Sequence, residues 1–586
     1  MKTALAFACT ILSMHARAET RLVADNGRWQ LLRDGQPYFI KGGGGNVGAM
    51  KSLAAAGGNS IRLWGDFHLG EALDAAGKAG LTVTAGFWLG QVRKGFDWSD
   101  AESLAKQREQ VRATVLKYKD HPALLVWALG NEMEDAQGKN GAVWTGINSL
   151  AVMVHQLDPR HPTMTVIAEI GGDKVKNIHR VCPEIDIVGI NSYASAVSVG
   201  ERYKKAGGTK PYILTEYGPA GVWESGKDAN GAFSEPTSTA KGAAYRAAYE
   251  SAVLGQPGVC LGSYAFFWGQ KQEVTSTWFS MFLGDGGRLA AVDTLQEIWT
   301  GKAPANRCPE MKSLGIDGAA SGESGATLRA KLVVSDNEND PLKVTWLLQR
   351  DPGKYGFGGD KEEAPPIFPE AIGRSDATGA EVRLPKDGGV YRLFATVHDD
   401  HGGAAVGNVT LRVNVANGSP AKLPFAIYAE AGDAETFIPV GYMGDAKAIK
   451  VNPACAEKPR AGASCLKCEF ASDKGWGGVV WQNPANDWGD EGGGYDLTGA
   501  KKLTFWARGD AGGEVVNFQF GLIPKDKKFS DTGKGALEKV ALTAEWKQYE
   551  IAVAGQDLTR IKTGFAWTTA SAGKPVVFYL DDIRWE

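Results

Sequence analysis

The chain has 586 residues, 43% of them hydrophobic and 22% charged, with a formal charge of −3. That length provides for about three domains, and a nearly balanced charge gives no reason to expect nucleic acid or an anionic membrane surface as a partner. Past the N-terminus no apolar run approaches the roughly 20 residues of a membrane helix, and the composition is ordinary apart from its 18 Trp and 76 Gly.

The opening MKTALAFACTILSMHARAET has a basic start at Lys2, an apolar stretch from Ala4 to Met14, and small residues at Ala16 and Ala18. It reads as a cleaved secretory signal over residues 1–18, which predicts a secreted or periplasmic location. Lipidation at Cys9 is the less favoured reading, because few residues precede it. Cleavage leaves 62 basic and 67 acidic residues, a balance of −5, and six cysteines: Cys182, Cys260, Cys308, Cys455, Cys465 and Cys468. Export leads us to expect one local disulfide among the last three. The CLKC of residues 465–468 has no second CxxC or histidine cluster nearby, so a structural role is preferred to zinc binding or redox chemistry.

From residue 28 short β-rich runs alternate with amphipathic stretches. The strand texts are YFIKGG (38–43), NSIRLWG (59–65), LTVTAGFWL (81–89), ALLVWALGN (123–131), PTMTVIAEI (162–170), IDIVGINSY (185–193), KPYILTEYG (210–218) and CLGSYAFFWG (260–269). Eight such strands, each followed by a helical text, predict a parallel (β/α)8 barrel over residues 19–308, with its working groups at the C-terminal strand ends. Residues 309–418 hold KVTWLL, GVYRLFATVHDDHGG and NVTLRVNV, which predict an Ig-like β-sandwich. Within it the acidic SDNENDP (335–341) has the residue types of a calcium site, but a solvated turn is the preferred reading. After the linker NGSPAKLP, residues 425–586 supply KKLTFWARG, VNFQFGLI, KQYEIAV and FYLDDIRWE, a second and larger sandwich or jelly roll. The fold class is therefore α/β, a TIM barrel followed by two β-sandwich domains.

One strand ends in an unexpected way. LLVWALGNEMED (124–135) has the composition of a strand buried on both faces, yet it finishes in Gly130, Asn131 and Glu132. In a barrel this places Glu132 at the mouth, and Glu216 of ILTEYG occupies the tip of the seventh strand. Either acid alone is more simply a rim salt bridge. Two at matching tips suit a retaining glycosidase, which needs one carboxyl as acid and base and another as nucleophile, about 5 to 5.5 Å apart.

WALGNE and ILTEYG, with the lead-in NGRWQLLRDGQPYFIKG, resemble glycoside hydrolase clan A, in particular the catalytic domain of family 2, over residues 25 to 303. The resemblance implies that Glu132 is the general acid/base, Glu216 the nucleophile, and Asn131 the group bonded to the sugar 2-hydroxyl. It also implies that Arg62 and Tyr193 orient the nucleophile and keep it ionised, with Asn191 beside them, and that Trp268 forms an aromatic floor beneath the cleaved sugar. Trp64, Trp88, Trp223 and Trp278 fall at strand ends or in the following loops, where indoles can stack on sugar C–H faces. Family 2 enzymes usually carry sandwich domains ahead of the barrel. Here the barrel follows the signal, which argues against a simple β-galactosidase or β-glucuronidase. RLWG and TEYG also resemble β-1,3-glucan hydrolases and glucanosyltransferases of the same clan.

The last unit, with GWGGVVWQNPANDWG and FYLDDIRWE, resembles β-sandwich carbohydrate-binding modules of glucanases. That likeness implies sugar contacts at Trp476, Trp481 and Trp488, and a structural calcium held by Glu430 with Asp581 or Asp582. Together these readings predict an exported, monomeric retaining β-glycosidase that acts on a β-glucan, β-1,3-linked by preference, with no cofactor for catalysis. The alternatives are a β-glucan transglycosylase using the same carboxylates, and a non-catalytic sugar-binding scaffold. A scaffold would be free to lose either acid, and both are present.

Overall fold

A computed structural model describes residues 18–586 apart from 354–358, 361, 415–419, 432–435, 473–474 and 572–573. The signal reading and Cys9 thus lie outside the described residues, save Ala18. Eight parallel strands close into a barrel: β1 (Ile40–Gly44), β2 (Ser60–Arg62), β3 (Thr82–Phe87), β4 (Leu124–Asn131), β5 (Thr163–Ala168), β6 (Ile187–Asn191), β7 (Tyr212–Tyr217) and β8 (Cys260–Ala265). β8 pairs with β1 to close the ring.

The apolar run of β4 has a physical reason. Leu125, Val126 and Ala128 join the cluster that fills the barrel, whereas Leu124, Trp127 and Leu129 belong to the cluster shared with the surrounding helices. With both faces covered, no alternation is possible until the strand reaches solvent. The helix Ala101–Tyr118 ahead of β4 starts at Asp100, whose carboxylate accepts the Ser103 N–H. At the opposite end from the mouth, the hairpin strands Thr20–Asp25 and Arg28–Arg33 bring Leu31 against the barrel filling.

The strands beyond residue 309 form two further layered units. In the first, a sheet built on Thr327–Ser335 and Gly379–Arg383 packs Ala330 and Val382 against Leu348, Leu393 and Leu411 of a facing sheet. In the second, Leu503, Phe505 and Phe578 meet Val479, Phe518, Phe565 and Trp567. No helix among the described residues is long and apolar enough to cross a membrane.

The first sandwich is bound to the long segment that follows β7. Asn408 Nδ2 donates to Glu235 Oε2 at 2.6 Å, Arg392 Nη2 to the Phe233 carbonyl at 2.7 Å, and Asn230 Nδ2 to the Thr410 carbonyl at 3.0 Å. Glu235 is itself ion-paired with Lys241 at 2.6 Å, both side chains almost fully buried. Removing either partner of such a pair leaves an uncompensated buried charge, so Glu235 is held in place as the acceptor that Asn408 reaches.

One expectation for the last unit is corrected. Cys455 and Cys465 lie opposite each other in the ladder of strands Ile449–Cys455 and Cys465–Phe470, but the expected disulfide is not formed: all six described cysteines are free thiols. The acids named for calcium make protein contacts. Glu430 accepts the backbone N–H groups of Ala463 and Ser464, Asp581 accepts those of Arg460 and Asp582, and Asp582 pairs with Arg460 and Arg584. Among the described residues the one acidic group compact enough to hold a cation is Asp336, Glu338 and Asp340, in the turn read as solvated.

Candidate active site

A cavity of about 930 Å³ opens at the C-terminal ends of the barrel strands, a size ordinary for a small-molecule site. Glu132 and Glu216 both line it, from β4 and β7. The chain aims Glu132 there through an unusual turn. Gly130 has φ +79° and Glu132 φ +52°, and a Cβ on Gly130 would sit 2.0 Å from Met133 Sδ. Positive φ at a non-glycine residue is costly and persists where the surrounding structure enforces it. The third acid of the stretch, Glu134, turns away from the mouth, accepts the Ala168 N–H at 2.9 Å and pairs with buried Lys174 at 3.1 Å.

The two carboxyls have opposite surroundings. Glu216 receives three donors: Arg62 Nη1 at 2.9 Å and Trp64 Nε1 at 2.7 Å on one oxygen, and the Tyr193 hydroxyl at 2.7 Å on the other. Burial and the adjoining carboxylate hold the Tyr193 phenol well above its usual range, so it remains a donor. Among the described residues Glu132 receives a single side-chain donor, Asn191 Nδ2 at 2.7 Å. Burial first, and then the charge of Glu216, push its pKa from 4.5 up to about 7.

A polar chain links the pair. Arg62 Nη2 donates to Asn131 Oδ1 at 2.6 Å, and Asn191 donates to that same oxygen at 3.1 Å. With its acceptor engaged twice, Asn131 has its amide N–H groups left for the cavity that it lines. Asn191 is oriented in turn by the Thr215 hydroxyl, 2.8 Å from its Oδ1.

The tryptophans divide. Trp64, Trp88 and Trp223 line the cavity, the last two 42% and 50% exposed. Trp64 does more than offer a face, since it donates to Glu216, and the absence of a side chain on Gly44 makes room for its ring, whose Cη2 would lie 2.6 Å from a Cβ there. Trp268 and Trp278 are not in the cavity. Trp268 stacks on Trp299 at 5.5 Å with its Nε1 donating to Ser52 Oγ, and Trp278 donates to the Ala220 carbonyl from a fully buried position. β8 ends at Ala265, so Phe266 and Phe267 take the mouth and Trp268 has already turned outward onto the helix Ala290–Thr300. Sequence reasoning also missed Arg93, Lys94, Glu169, Glu224, Lys271, Glu273 and Asp360, all of them lining residues in loops. In the last unit Trp481 is 2% exposed and belongs to the core, while Trp476 and Trp488 lie at the surface.

Residues 81–249 match the glycosyl hydrolases family 2 TIM barrel domain, a span that runs from β3 past β7 and includes both acids. The barrel is family 2-like. Among solved structures, the chain is similar to a β-D-glucuronidase of Dictyoglomus thermophilum, at 19% identity and a TM-score of 0.39 over 49% of this chain and 54% of that one. It is also similar to a family 2 β-galacturonidase of Eisenbergiella tayi, at 16% identity and 0.38 over 49% and 55%. A Bacteroides uniformis β-glucuronidase matches at 12% identity and 0.37 over 96% of this chain and 67% of that one. The chain thus spans about half the length of the first two of these proteins. No curated protein matches it. The matched span thus makes the barrel similar to a glycosidase domain.

Proposed function

We propose that the protein is a retaining β-glycosidase in which Glu132 is the acid/base and Glu216 the nucleophile. The observation that carries this reading is the contrast between the two carboxyls in one cavity, one held by three donors and the other buried with a pKa of about 7. Environments that separate the proton affinities of two neighbouring acids assign their roles. Glu132 gives its proton to the glycosidic oxygen as Glu216 attacks the anomeric carbon. The bond to the leaving sugar breaks, and a glycosyl ester on Glu216 forms. Glu132, now a carboxylate, then takes a proton from water, whose oxygen attacks the same carbon and frees Glu216. The amide of Asn131 suits the 2-hydroxyl, where a contact strengthens as positive charge develops on the ring.

The substrate we favour is a neutral β-glucan, with β-1,3-linked chains the first to test. Trp64, Trp88, Trp223, Phe266 and Phe267 give the cavity several apolar faces for sugar C–H surfaces. Three cations of its wall, Arg93, Lys94 and Lys271, stand among six acids, Glu132, Glu169, Glu216, Glu224, Glu273 and Asp360, and both lysines are paired with acids, which favours a neutral sugar over a uronate. Export of the mature chain remains part of this proposal and rests on the N-terminal sequence.

The test is product analysis on β-1,3-, β-1,4- and β-1,6-glucans, mannan and an aryl β-glucuronide, with the anomer formed first followed by NMR. Net retention on a glucan, lost in Glu216→Ala, is the expected outcome. Inversion, or full activity in that variant, defeats the assignment. Turnover of the glucuronide alone defeats the choice of substrate.

A further inference from the structure

The cavity is not built by the barrel alone. After the edge strand Lys343–Arg350 of the first sandwich, the chain leaves its sheet and reaches the barrel mouth, where Gly359 and Asp360 line the cavity. Its departure is fixed by Asp351, which is ion-paired with Arg392 at 2.6 Å with both side chains buried. Its return is fixed by the Arg350 N–H to the Pro366 carbonyl at 2.9 Å and by Gln349 Nε2 to the Pro365 carbonyl at 3.0 Å. Between these anchors described residues reach the barrel. Glu362 Oε2 accepts the Val274 N–H at 2.6 Å, and Asp360 Oδ1 pairs with Lys94 Nζ, also at 2.6 Å.

Lys94 belongs to the loop after β3, the neighbour of the strand that ends in Glu132. On that loop Trp88 is 42% exposed with Lys94 Nζ 5.9 Å from its ring centre, and the charge of Arg93 acts on Glu132 itself. A general acid gives its proton to the departing oxygen, so the wall on its side borders the leaving group. There the structure offers a partly exposed indole beside a carboxylate and an ammonium, the combination that stacks on a sugar ring and hydrogen-bonds its hydroxyls.

Resting on the glycosidase reading above, we infer that Asp360 of the sandwich, together with Lys94 and Trp88 of the barrel, forms a binding subsite for the sugar on the leaving-group side of the cleaved bond. The second domain thereby sets specificity by supplying one wall of the cleft within the same chain. An ion pair as exposed as Lys94 with Asp360 adds little to folding, so its removal separates recognition from stability.

The test compares two substrates of one glycone in the full-length protein: a nitrophenyl β-glycoside, whose leaving group offers no sugar hydroxyls, and a β-linked oligosaccharide of the linkage that the wild type cleaves. Asp360→Ala is expected to lower kcat/KM on the oligosaccharide about tenfold, the loss of one good polar contact, while the aryl substrate changes less than about twofold. Asp360→Asn, which keeps an acceptor, should recover most of the loss. Equal effects on both substrates, or none on either, would overturn the subsite while leaving the glycosidase reading intact. A wild type that cleaves no glycoside of the panel would overturn the glycosidase reading, and this inference with it.

Discussion

Arg62 donates through Nη1 to Glu216 Oε1 at 2.9 Å, in a place where the two side chains are 1% and 7% exposed. Its other terminal nitrogen holds Asn131, so one planar guanidinium fixes both the carboxylate on β7 and the amide beside Glu132. The planar fork of arginine suits this double task, and a lysine ammonium cannot reproduce it.

Arg62→Ala is therefore expected to fail twice. Losing one member of a buried pair costs about 3–5 kcal/mol of stability, and losing a preorganised charge at the reacting group costs about 10²-fold or more in kcat. Arg62→Lys should regain much of the stability but little of the rate, because Asn131 loses the shorter of its two donors. Denaturant unfolding and steady-state kinetics on the two variants measure the two effects separately.

The second prediction concerns pH. Glu132 must hold its proton to act in the first step, and its pKa is about 7. kcat/KM should therefore fall as pH rises through about 7. Part of that elevation comes from the charge of Glu216, so Glu216→Gln should move the Glu132 titration to lower pH, whereas a shift caused by burial alone would not move. NMR of 13C-labelled glutamate reads the titration directly, even though the variant does not turn over.

A third consequence is thermodynamic. The folded-state pKa of Glu132 lies above its unfolded value, so folding favours the protonated form and stability is lost as pH rises from 4.5 to about 7. At about 1.4 kcal/mol per pH unit the full loss above pH 7 is about 3 kcal/mol. Glu132→Gln removes the ionisation, so its melting temperature should exceed that of the wild type at pH 8, with the gap closing by about pH 4. A gap that is constant with pH would show that Glu132 is not held against ionisation.

These residues were legible in the sequence for a physical reason. A strand covered on both faces leaves a plain apolar text, so an acid at its end stands out, and Glu132 and Glu216 do so at β4 and β7. The remainder of the site has no such signature. Phe266 and Phe267 reach the cavity, and Trp268 does not, because of how the chain turns within two residues of β8. Glu273 and Asp360 stand in loops, and Asp360 comes to the mouth only through the docking of a separate sandwich, a contact that no local pattern encodes. The cysteines show the same limit in another form. Their spacing brought Cys455 and Cys465 opposite each other across two adjacent strands, but proximity in a ladder is not a bond.

The last prediction separates two tryptophans on one strand. Trp476 and Trp481 lie on Trp476–Gln482 at an odd separation, so they point to opposite faces of the sheet, and sequence alone does not say which face is covered. The structure puts Trp481 in the core, with Phe565 at 5.6 Å, and leaves Trp476 51% exposed. Trp481→Ala should therefore cost about 3–5 kcal/mol, the range for a large aromatic removed from a packed interior. Trp476→Ala should change stability by less than about 0.5 kcal/mol, as surface substitutions usually do. Urea unfolding of the two variants reads the difference, and titration of Trp476→Ala with soluble β-glucan asks separately whether that exposed indole binds sugar. Equal losses of stability would mean that the two faces of this strand are buried alike.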